Sequence, residues 1–418
     1  MLIVCPPHER RRHVTVRIDA DLLIPGRGDP ITNGTVVIDG GTIAYAGSST
    51  DAPDTPKTTA TKVPVVMPGL WDCHGHVTGI TSPDVISGTM EKATTRAARS
   101  VGDLSRTLMG GVTSMREVGG FGVDLQPAIA AGDIAGPTVY GAGKLLSTTG
   151  GHGDVHSMPL DALVHIEHLG ILCDGVPEVT KAVRTNLRKN AKVIKICASG
   201  GVMSEIDHPV HQQFSSEELK AIVEETARAE RVVAAHCHGK PGIIAALEAG
   251  VHTIEHGSYL DEEAADMMIE RGAMLVPTRF ISEVLLPKAE ALPRHIYEKA
   301  MMVNERSSAA LKLAIAKGVR IAMGTDLFVS GDASGRNGRE IALLQDAGMT
   351  ALEAIESATA SGPDTLGPQA PMSGQLKEGY DADVIAINFN PLEDSSGWGD
   401  RDRVTHVWKA GNPMKALA

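Results

Sequence analysis

The sequence predicts an α/β fold: a (β/α)8 TIM barrel with a small β-sandwich domain formed from both termini. Short apolar strands alternate with helical segments through the middle of the chain, and strand-rich segments of a different character lie at both ends. A doubly wound sheet is the alternative, but no G-x-G-x-x-G motif follows the first strand. We assign residues 1–63 and 366–418 to the composite β-sandwich domain and residues 64–365 to the barrel.

The two terminal segments each have the pattern of an antiparallel β unit. Within residues 14–48, two strand-like runs flank Asp39-Gly40-Gly41, which is a strong hairpin signal. Residues 49–62 are rich in Asp, Pro, Thr and Ser and indicate a loop. Two further strand-like runs close the chain, at 382–391 and 403–411.

The central segment contains eight predicted strands with helices between most of them. The best-defined helix covers 215–230, where Ser215 and Glu218 fit a capping box. The other predicted helices are 91–109, 177–189, 239–249, 261–271, 296–317 and 350–361. The predicted strands are 63–76, 112–119, 138–147, 192–200, 232–239, 252–258, 273–280 and 319–328.

Composition excludes several classes of protein. The net charge of −12 argues against nucleic acid or an anionic membrane as a partner, because both bind basic surfaces. The 5 cysteines show no regular spacing, so we expect no disulfide framework. The N-terminal apolar run is too short for a signal peptide, and no run approaches the roughly 18 apolar residues of a membrane span. We therefore expect a cytoplasmic protein.

Six polar side chains lie near the carboxyl ends of predicted barrel strands. In a barrel these ends meet on one face, where active sites are built. Alternate residues of a strand share a face, so two histidines of the first strand point the same way. The six residues are His74, His76, Lys195, His236, His256 and Asp326.

The convergence of four imidazoles and a carboxylate favours a metal site. Uncompensated burial of these groups costs several kcal/mol, and a divalent cation compensates it. A single strand histidine such as His252 or His406 is more often a satisfied core or surface group. Lys195 alone would fit a snorkelling side chain at the end of the barrel. The joint arrangement is what predicts a metal.

These residues stand in motifs that resemble the amidohydrolase superfamily, in its binuclear-metal branch, and the resemblance runs essentially from end to end. The motifs are Pro68–His76, the Lys195 strand, His236, Ile254–Gly257 and Gly324–Asp326. Within the superfamily the chain is most similar to the imidazolonepropionase-like amidohydrolases, which include Xaa-Pro and Xaa-Arg/Lys dipeptidases and lie near pesticide- and toxin-amide hydrolases. Thr149–His152, Lys195–Gly201 and Ala235–Gly239 carry this narrower likeness.

The resemblance implies two divalent metal ions, with Zn the first expectation and Mn, Co or Ni also admitted. It implies that CO₂ converts Lys195 to a carbamate that bridges both ions. The remaining ligands would be His74, His76 and Asp326 on the first ion, and His236 and His256 on the second.

The resemblance also implies catalytic and substrate-binding roles. A hydroxide that bridges the metals attacks the amide, and Asp326 accepts its proton and passes it to the leaving nitrogen. His152 is expected to stabilise the oxyanion and contact substrate. We expect substrate contacts from His238, unless it is only a rim histidine, and from Arg279, unless it pairs with an acid. Phe214 stands where related dipeptidases carry a tyrosine, so it is a candidate for setting substrate class.

The leading hypothesis is hydrolysis of a C–N bond in a small-molecule amide, such as an N-acyl amino acid or an Xaa-Pro or Xaa-Arg dipeptide. The alternative is a xenobiotic amide, carbamate, urea or mycotoxin amide. A mononuclear deaminase or imidazolone ring-opening enzyme is disfavoured by Lys195, which such relatives lack. A non-catalytic scaffold is disfavoured because all six ligands are present. We expect a homo-oligomer, since barrels of this kind often assemble.

Overall fold

The computed structural model describes residues 15–56, 58–163, 170–287 and 292–417. In chain order, the strands are β1 (Thr15–Leu23), β2 (Ile31–Asp39), β3 (Thr42–Ser48), β4 (Thr61–Pro68), β5 (Leu70–Ile80), β6 (Val112–Glu117), β7 (Thr138–Gly141), β8 (Leu145–Ser147), β9 (Gly170–Leu172), β10 (Ile194–Cys197), β11 (Val233–Cys237), β12 (Thr253–His256), β13 (Met274–Val276), β14 (Arg320–Ile321), β15 (Leu327–Val329), β16 (Val384–Ile387), β17 (Val404–Lys409) and β18 (Asn412–Ala416). The helices are α1 (Val85–Met90), α2 (Ala93–Met109), α3 (Gly122–Ala131), α4 (Leu160–Leu163), α5 (Gly175–Arg188), α6 (Ser216–Ala227), α7 (Lys240–Ala249), α8 (Glu262–Arg271), α9 (Phe280–Leu285), α10 (Arg294–Lys317), α11 (Arg339–Asp346) and α12 (Ala351–Ser357).

Both ends of the chain build one β domain, as predicted. Its strands pair in the order β18-β17-β16-β4-β1-β2-β3, and the antiparallel pairing of β4 with β16 joins the two termini. Buried side chains such as Ile18, Val36, Val66 and Trp408 form its core. The predicted domain boundary between residues 63 and 64 falls inside β4. Residues 1–14 of the predicted domain lie outside the described residues.

The central strands form the predicted barrel from two parallel sheets. One sheet has the order β14-β13-β12-β11-β10-β8-β9, and the other has the order β15-β5-β6-β7. Backbone hydrogen bonds join the sheets at both seams. The Lys192 N–H donates to the Gly141 carbonyl at 2.8 Å, and the Cys73 N–H donates to the Met323 carbonyl at 2.8 Å. The two sheets therefore share one ring, and the strand ends that carry the predicted ligands lie on one face.

Three predicted strands are each divided in two. The predicted strand 63–76 is β4 of the terminal domain followed by β5 of the barrel, and Gly69 separates them. A Cβ at Gly69 would collide with the Thr113 side chain, so only glycine allows this close turn. Gly143, at φ +74°, similarly separates β7 from β8. The segment 319–328 contains β14 and β15, and the residues between them turn towards the site.

The helices lie around the barrel, and capping residues mark the start of α6 and the end of α10. The Ser215 hydroxyl accepts from the Glu218 N–H at 3.3 Å, and the Glu218 carboxylate accepts from the Ser215 N–H at 2.7 Å, which is the predicted capping box of α6. Helix α10 ends at Gly318, which adopts the left-handed conformation at φ 79°. None of the described helices combines the length and apolar character needed to cross a membrane.

Candidate metal centre and active-site cavity

All six predicted ligands line one cavity of about 250 Å³ at the carboxyl ends of the barrel strands. The first group contains His74, His76 and Asp326, whose ligand atoms lie within 4.8 Å of one another. Asp326 Oδ1 is 3.1 Å from His76 Nε2 and 3.4 Å from His74 Nε2. Asp326 has a positive φ of 58°, and its N–H donates to the His74 carbonyl at 2.7 Å. This turn directs the carboxylate of the eighth strand towards the histidines of the first.

Hydrogen bonds on the far side of each ring set the tautomers of the first-strand histidines. His76 Nδ1 lies 2.8 Å from the Gly119 carbonyl, and His74 Nδ1 lies 2.7 Å from Glu255 Oε2. A carbonyl only accepts, so His76 Nδ1 carries a proton, and in the neutral imidazole Nε2 then keeps a lone pair. Ionised Glu255 imposes the same tautomer on His74. Both lone pairs face Asp326, which is the arrangement that metal-ligating histidines adopt.

The second group lies on the neighbouring strands β11 and β12. The His236 Nε2–H donates to the Gly200 carbonyl at 3.1 Å, which leaves Nδ1 with its lone pair. His256 Nδ1 pairs with the Thr278 hydroxyl at 2.7 Å, which leaves Nε2 available. The two rings lie 4.7 Å apart between centroids. Burial holds the pKa of both imidazoles well below the usual value, so both are neutral ligands.

Lys195, on β10, lines the same cavity as these groups and is only 2% exposed. Burial lowers the pKa of its amine, which favours the neutral form. Among the described residues, no carboxylate forms an ion pair with its Nζ. Cys197, on the same strand, also lines the cavity, and burial raises the pKa of its thiol to about 12. The thiol is therefore protonated.

The donor set fits divalent metal ions. It combines neutral imidazoles, an ionised carboxylate and a buried amine. The imidazole nitrogens that face away from the ligand positions are already occupied by hydrogen bonds.

A buried ion pair beneath the site was not predicted from the sequence. Arg116 and Glu255 are both fully buried, and Arg116 Nη2 lies 2.7 Å from each carboxylate oxygen of Glu255. Burial would raise the pKa of Glu255, but Arg116 and His74 hold it below its usual range. Glu255 therefore accepts from His74 as a carboxylate. The sequence did contain a signal for this ion pair, because Arg116 and Glu255 are each a charged residue inside an apolar strand.

Asp72 ties the first and eighth strands together. It accepts from the Thr325 N–H at 3.0 Å, from the Thr325 hydroxyl at 2.6 Å and from Asn337 Nδ2 at 2.6 Å. The same carboxylate accepts from the His74 N–H at 3.2 Å. These bonds fix the turn that precedes Asp326. Burial raises the pKa of Asp72, and these donors oppose that rise.

The comparisons with known proteins agree with this geometry. Residues 65–414 match the profile of the amidohydrolase family. The chain belongs to the amidohydrolase family. It is a hydrolase that acts on amide bonds, and members of this family generally bind divalent metal ions.

Several relatives of this amidohydrolase resemble it over nearly their whole length. Ochratoxinase from Aspergillus niger is 44% identical over 417 residues, which cover 95% of this chain and 86% of that protein. The crystal structure of A. niger ochratoxinase has a TM-score of 0.90 at 42% identity, with 97% and 96% of the two chains covered. A Xaa-Pro dipeptidase crystallised with methionine has a TM-score of 0.86 at 31% identity, with 96% and 100% covered.

The predicted oxyanion residue of this amidohydrolase, His152, also lines the cavity. Its ring stacks on His236 at 4.3 Å between centroids, and its Nδ1 lies 2.9 Å from the Ser204 hydroxyl. The Ser204 hydroxyl donates to Asp207, and Lys299 donates to the same carboxylate oxygen at 3.2 Å. Because the Ser204 proton goes to Asp207, Ser204 accepts from His152. Sequence reasoning did not find Ser204, Asp207 or Lys299, because Ser204 and Asp207 lie in an irregular loop and Lys299 is one of several charged residues of the predicted helix 296–317.

Two of the three remaining substrate-contact predictions lie in the cavity wall of the amidohydrolase. His238 lines the cavity, and its Nδ1 pairs with the Ser258 hydroxyl at 2.8 Å. Arg279 also lines the cavity, and its guanidinium donates to the Ser307 hydroxyl and to Asn304 Oδ1 at 3.0 Å. The described residues contain no carboxylate paired with this guanidinium, so the alternative of an ion pair with a nearby acid is not seen.

Phe214 is placed differently from the prediction. It is fully buried in the hydrophobic core and does not line the cavity. The side chain of its neighbour Gln213 contacts the His152 backbone instead, where the Gln213 amide oxygen accepts from the His152 N–H at 3.1 Å. The prediction that Phe214 contacts substrate is therefore wrong.

Proposed function

We propose that this amidohydrolase is a binuclear metal-dependent enzyme that cleaves the amide bond of an N-acyl amino acid. The observation that carries the proposal is Lys195, a buried amine in the same cavity as two histidine groups whose outer nitrogens are held by hydrogen bonds. A site with a single metal ion would not need this amine as a bridging ligand. Two divalent ions, when bound, supply Lewis acidity and lower the pKa of a water molecule to about 7.

The proposed ligand assignment follows the two groups. His74, His76 and Asp326 would hold one ion, and His236 and His256 the other. Lys195 would lie between the ions as a carbamate, formed when its neutral amine adds CO₂ and releases one proton. The imidazole and carboxylate donors suit Zn first, and they also admit Mn, Co or Ni.

Protein side chains perform the remaining steps. Asp326 would take the proton of the attacking water and deliver it to the leaving nitrogen. His152 would stabilise the charge that develops on the carbonyl oxygen, which requires Nε2 to carry a proton in addition to the Nδ1–H that Ser204 accepts. His238 lines the cavity and would contact the substrate.

The cavity wall supports a substrate with one carboxylate and one apolar half. Arg279 presents a guanidinium that Asn304 and Ser307 orient. A guanidinium with free donors suits a carboxylate. The cavity lining also includes the apolar side chains of Met203, Ile281, Leu285, Leu286, Ile296 and Val303. We propose that the amino-acid carboxylate binds Arg279 and that the acyl half packs on the apolar wall. A mycotoxin amide is the first candidate, because a 44% identical relative is named ochratoxinase.

The test compares four substrates on metal-loaded protein: ochratoxin, N-acyl-phenylalanine, an Xaa-Pro dipeptide and an aryl amide without a carboxylate. We expect hydrolysis of the carboxylate-bearing amides. Arg279→Met should raise their KM by about 10- to 100-fold, as for loss of a charge-assisted hydrogen-bond pair. Turnover of the aryl amide alone would refute the carboxylate assignment.

Metal analysis separates this proposal from the deaminase alternative. We expect two ions per chain and a mass increase of one CO₂ on Lys195. One ion per chain with an unmodified Lys195 would instead favour a mononuclear deaminase or ring-opening enzyme.

A further inference from the structure

The buried carboxyl group of Glu340 holds the segment that follows β13. Glu340 is 0% exposed and lies in the first turn of α11, and the proposed reaction does not use it. Its Oε1 accepts from the Arg279 N–H at 2.8 Å, and its Oε2 accepts from the Phe280 N–H at 2.5 Å. One side chain of α11 therefore satisfies two consecutive backbone donors at the point where Arg279 enters the cavity wall.

The residue before this contact has a backbone conformation that its side chain disfavours. Thr278 has a positive φ of 51°, which a β-branched residue rarely adopts. Its hydroxyl pairs with Nδ1 of His256, a predicted metal ligand, at 2.7 Å. Such a conformation persists where neighbouring contacts hold it in place, and the two bonds to Glu340 begin at the next residue. We attribute the conformation of this segment to its contacts with His256 and Glu340.

Glu340 is itself held by a chain of hydrogen bonds. Its N–H donates to the Asn337 carbonyl at 3.1 Å, and Asn337 Nδ2 donates to Asp72 at 2.6 Å. Asp72 accepts from Thr325, immediately before Asp326. The first turn of α11 thus links the ends of the seventh and eighth barrel strands, and a support that is fixed in this way can place a side chain accurately.

The guanidinium of Arg279 is oriented from a different helix. It donates to the Ser307 hydroxyl and to Asn304 Oδ1 at 3.0 Å, and both acceptors lie on α10. These bonds use two of the five guanidinium donors and leave the others for a carboxylate. Glu340 therefore sets the position of the arginine backbone, and α10 sets the direction of its side chain.

We propose that Glu340 is a positioning residue that places Arg279 for recognition of the substrate carboxylate. This inference rests on the proposed function and adds a residue that acts through Arg279, because Glu340 itself does not line the cavity. A carboxyl group offers two acceptor oxygens to the two N–H groups, whereas glutamine offers one acceptor and adds a donor. Glu340→Gln should therefore release one of the two bonds and displace Arg279.

The experiment compares N-benzoyl-phenylalanine with N-benzoyl-phenylalaninamide at saturating metal. The two compounds share the scissile amide and differ in the group that Arg279 would bind. We expect Glu340→Gln to raise KM for the carboxylate about three- to tenfold, as for loss of one hydrogen bond to the substrate. The kcat for the carboxylate and both constants for the amide should change less than about twofold. Asp346→Asn, at an exposed position of the same helix, is the control and should leave all constants unchanged.

A double-variant cycle identifies the residue that transmits the effect. If Glu340 acts through Arg279, Glu340→Gln should change KM for the carboxylate less than about twofold in the Arg279→Met background. Glu340→Asp keeps both acceptors on a shorter side chain and should raise the same KM by a smaller factor, so it carries the test if Glu340→Gln does not fold. Equal KM increases for both compounds, unchanged KM in the folded variants, or a full effect in the Arg279→Met background would overturn the inference and leave the proposed function standing.

Binding separates this inference from the proposed reaction. Calorimetry on the metal-loaded protein should show tighter binding of phenylalanine than of phenylalaninamide, and Arg279→Met and Glu340→Gln should each reduce the difference. That result without hydrolysis of any amide would keep the role of Glu340 and refute the proposed reaction. Equal binding of the two ligands to the parent protein would overturn the inference together with the carboxylate assignment.

Discussion

Nδ1 of His74 lies 2.7 Å from Oε2 of Glu255, and the two side chains are 1% and 0% exposed. Arg116 neutralises the same carboxylate from below. The three side chains form a buried chain of charge-assisted hydrogen bonds that ends at a metal-ligand position. The orientation of His74 is therefore set by a residue on the sixth barrel strand and by an arginine on the second.

Replacing Glu255 should weaken metal binding and destabilise the protein. Glu255→Gln leaves the Arg116 guanidinium buried without its counter-charge, which costs about 3–5 kcal/mol in comparable buried pairs. The neutral amide also ceases to fix the His74 tautomer, so metal affinity should fall about 10- to 100-fold. Thermal unfolding and metal titration measure the two effects.

The control for this variant is an exposed acidic residue. Glu356 pairs with Arg27 at the surface, where the two side chains are 36% and 46% exposed. Glu356→Gln should change stability by less than about 1 kcal/mol and leave metal affinity unchanged. Equal effects of the two substitutions would contradict the role assigned to Glu255.

Removal of Lys195 should abolish metal loading and activity together. Lys195→Ala deletes the proposed bridging carbamate, so the loss should exceed the roughly 10- to 100-fold cost of removing a group outside the coordination shell. Acetate or propionate should restore part of both properties. Metal content and amide hydrolysis are measured with and without the acid. Lys192→Ala, three residues earlier and hydrogen-bonded to Asn190, is the control and should behave like the parent protein. A fully active Lys195→Ala variant would refute the bridging role.

Loss of the Ser204 hydroxyl should lower kcat more than it changes KM. Ser204 orients His152 through Nδ1, and Ser204→Ala removes one hydrogen bond of about 1 kcal/mol, or about five- to tenfold in rate. Steady-state kinetics on the best amide substrate separate the two constants. Ser282→Ala, in the same cavity wall, is the matched control. A rise in KM alone would indicate that Ser204 acts in substrate binding and not through His152.

Stability should fall as pH rises from 5 to 8 because of Glu340. Burial raises the pKa of this carboxyl from 4.5 to about 8, although it accepts from the N–H groups of Arg279 and Phe280. The folded state therefore binds a proton that the unfolded state has released above pH 4.5. The stabilising contribution is complete below that pH and is lost as pH rises through about 8, with a slope of up to about 1.4 kcal/mol per pH unit.

Glu340→Gln should flatten this slope, as measured by urea unfolding at several pH values. Glu283 is the control, because its contact with Arg339 lowers its pKa. Its contribution is lost only as pH falls below the usual range of a glutamate, so Glu283→Gln should leave the slope between pH 5 and 8 unchanged. An unchanged slope in Glu340→Gln would show that other groups cause the pH dependence.

The sequence by itself determined the fold class and the six residues at the candidate metal centre. Strand and helix patterns are local, because they follow from backbone periods of two and 3.6 residues. The rule that carboxyl ends of barrel strands share one face then brought together residues as distant as His74 and Asp326. Even the capping box at Ser215 depended only on neighbouring residues.

Only the tertiary structure decided which groups support those six residues. Glu255 meets Arg116 across 139 residues, and Asp72 meets Thr325 across 253 residues. Local sequence patterns do not predict these long-range partners, because closure of the barrel and tertiary packing bring them together.

The tertiary structure also decided what lines the cavity between the strand ends. Phe214 and Gln213 lie in an irregular segment, where no period predicts which side chain faces the core. Glu340 meets the N–H group of Arg279 across 61 residues, so its contact with the cavity wall is visible only in the folded chain. The candidate metal ligands were therefore accessible to sequence reasoning because they lie on strands or directly beside them, whereas the predicted substrate contacts depend on loops whose side chains are oriented by long-range packing.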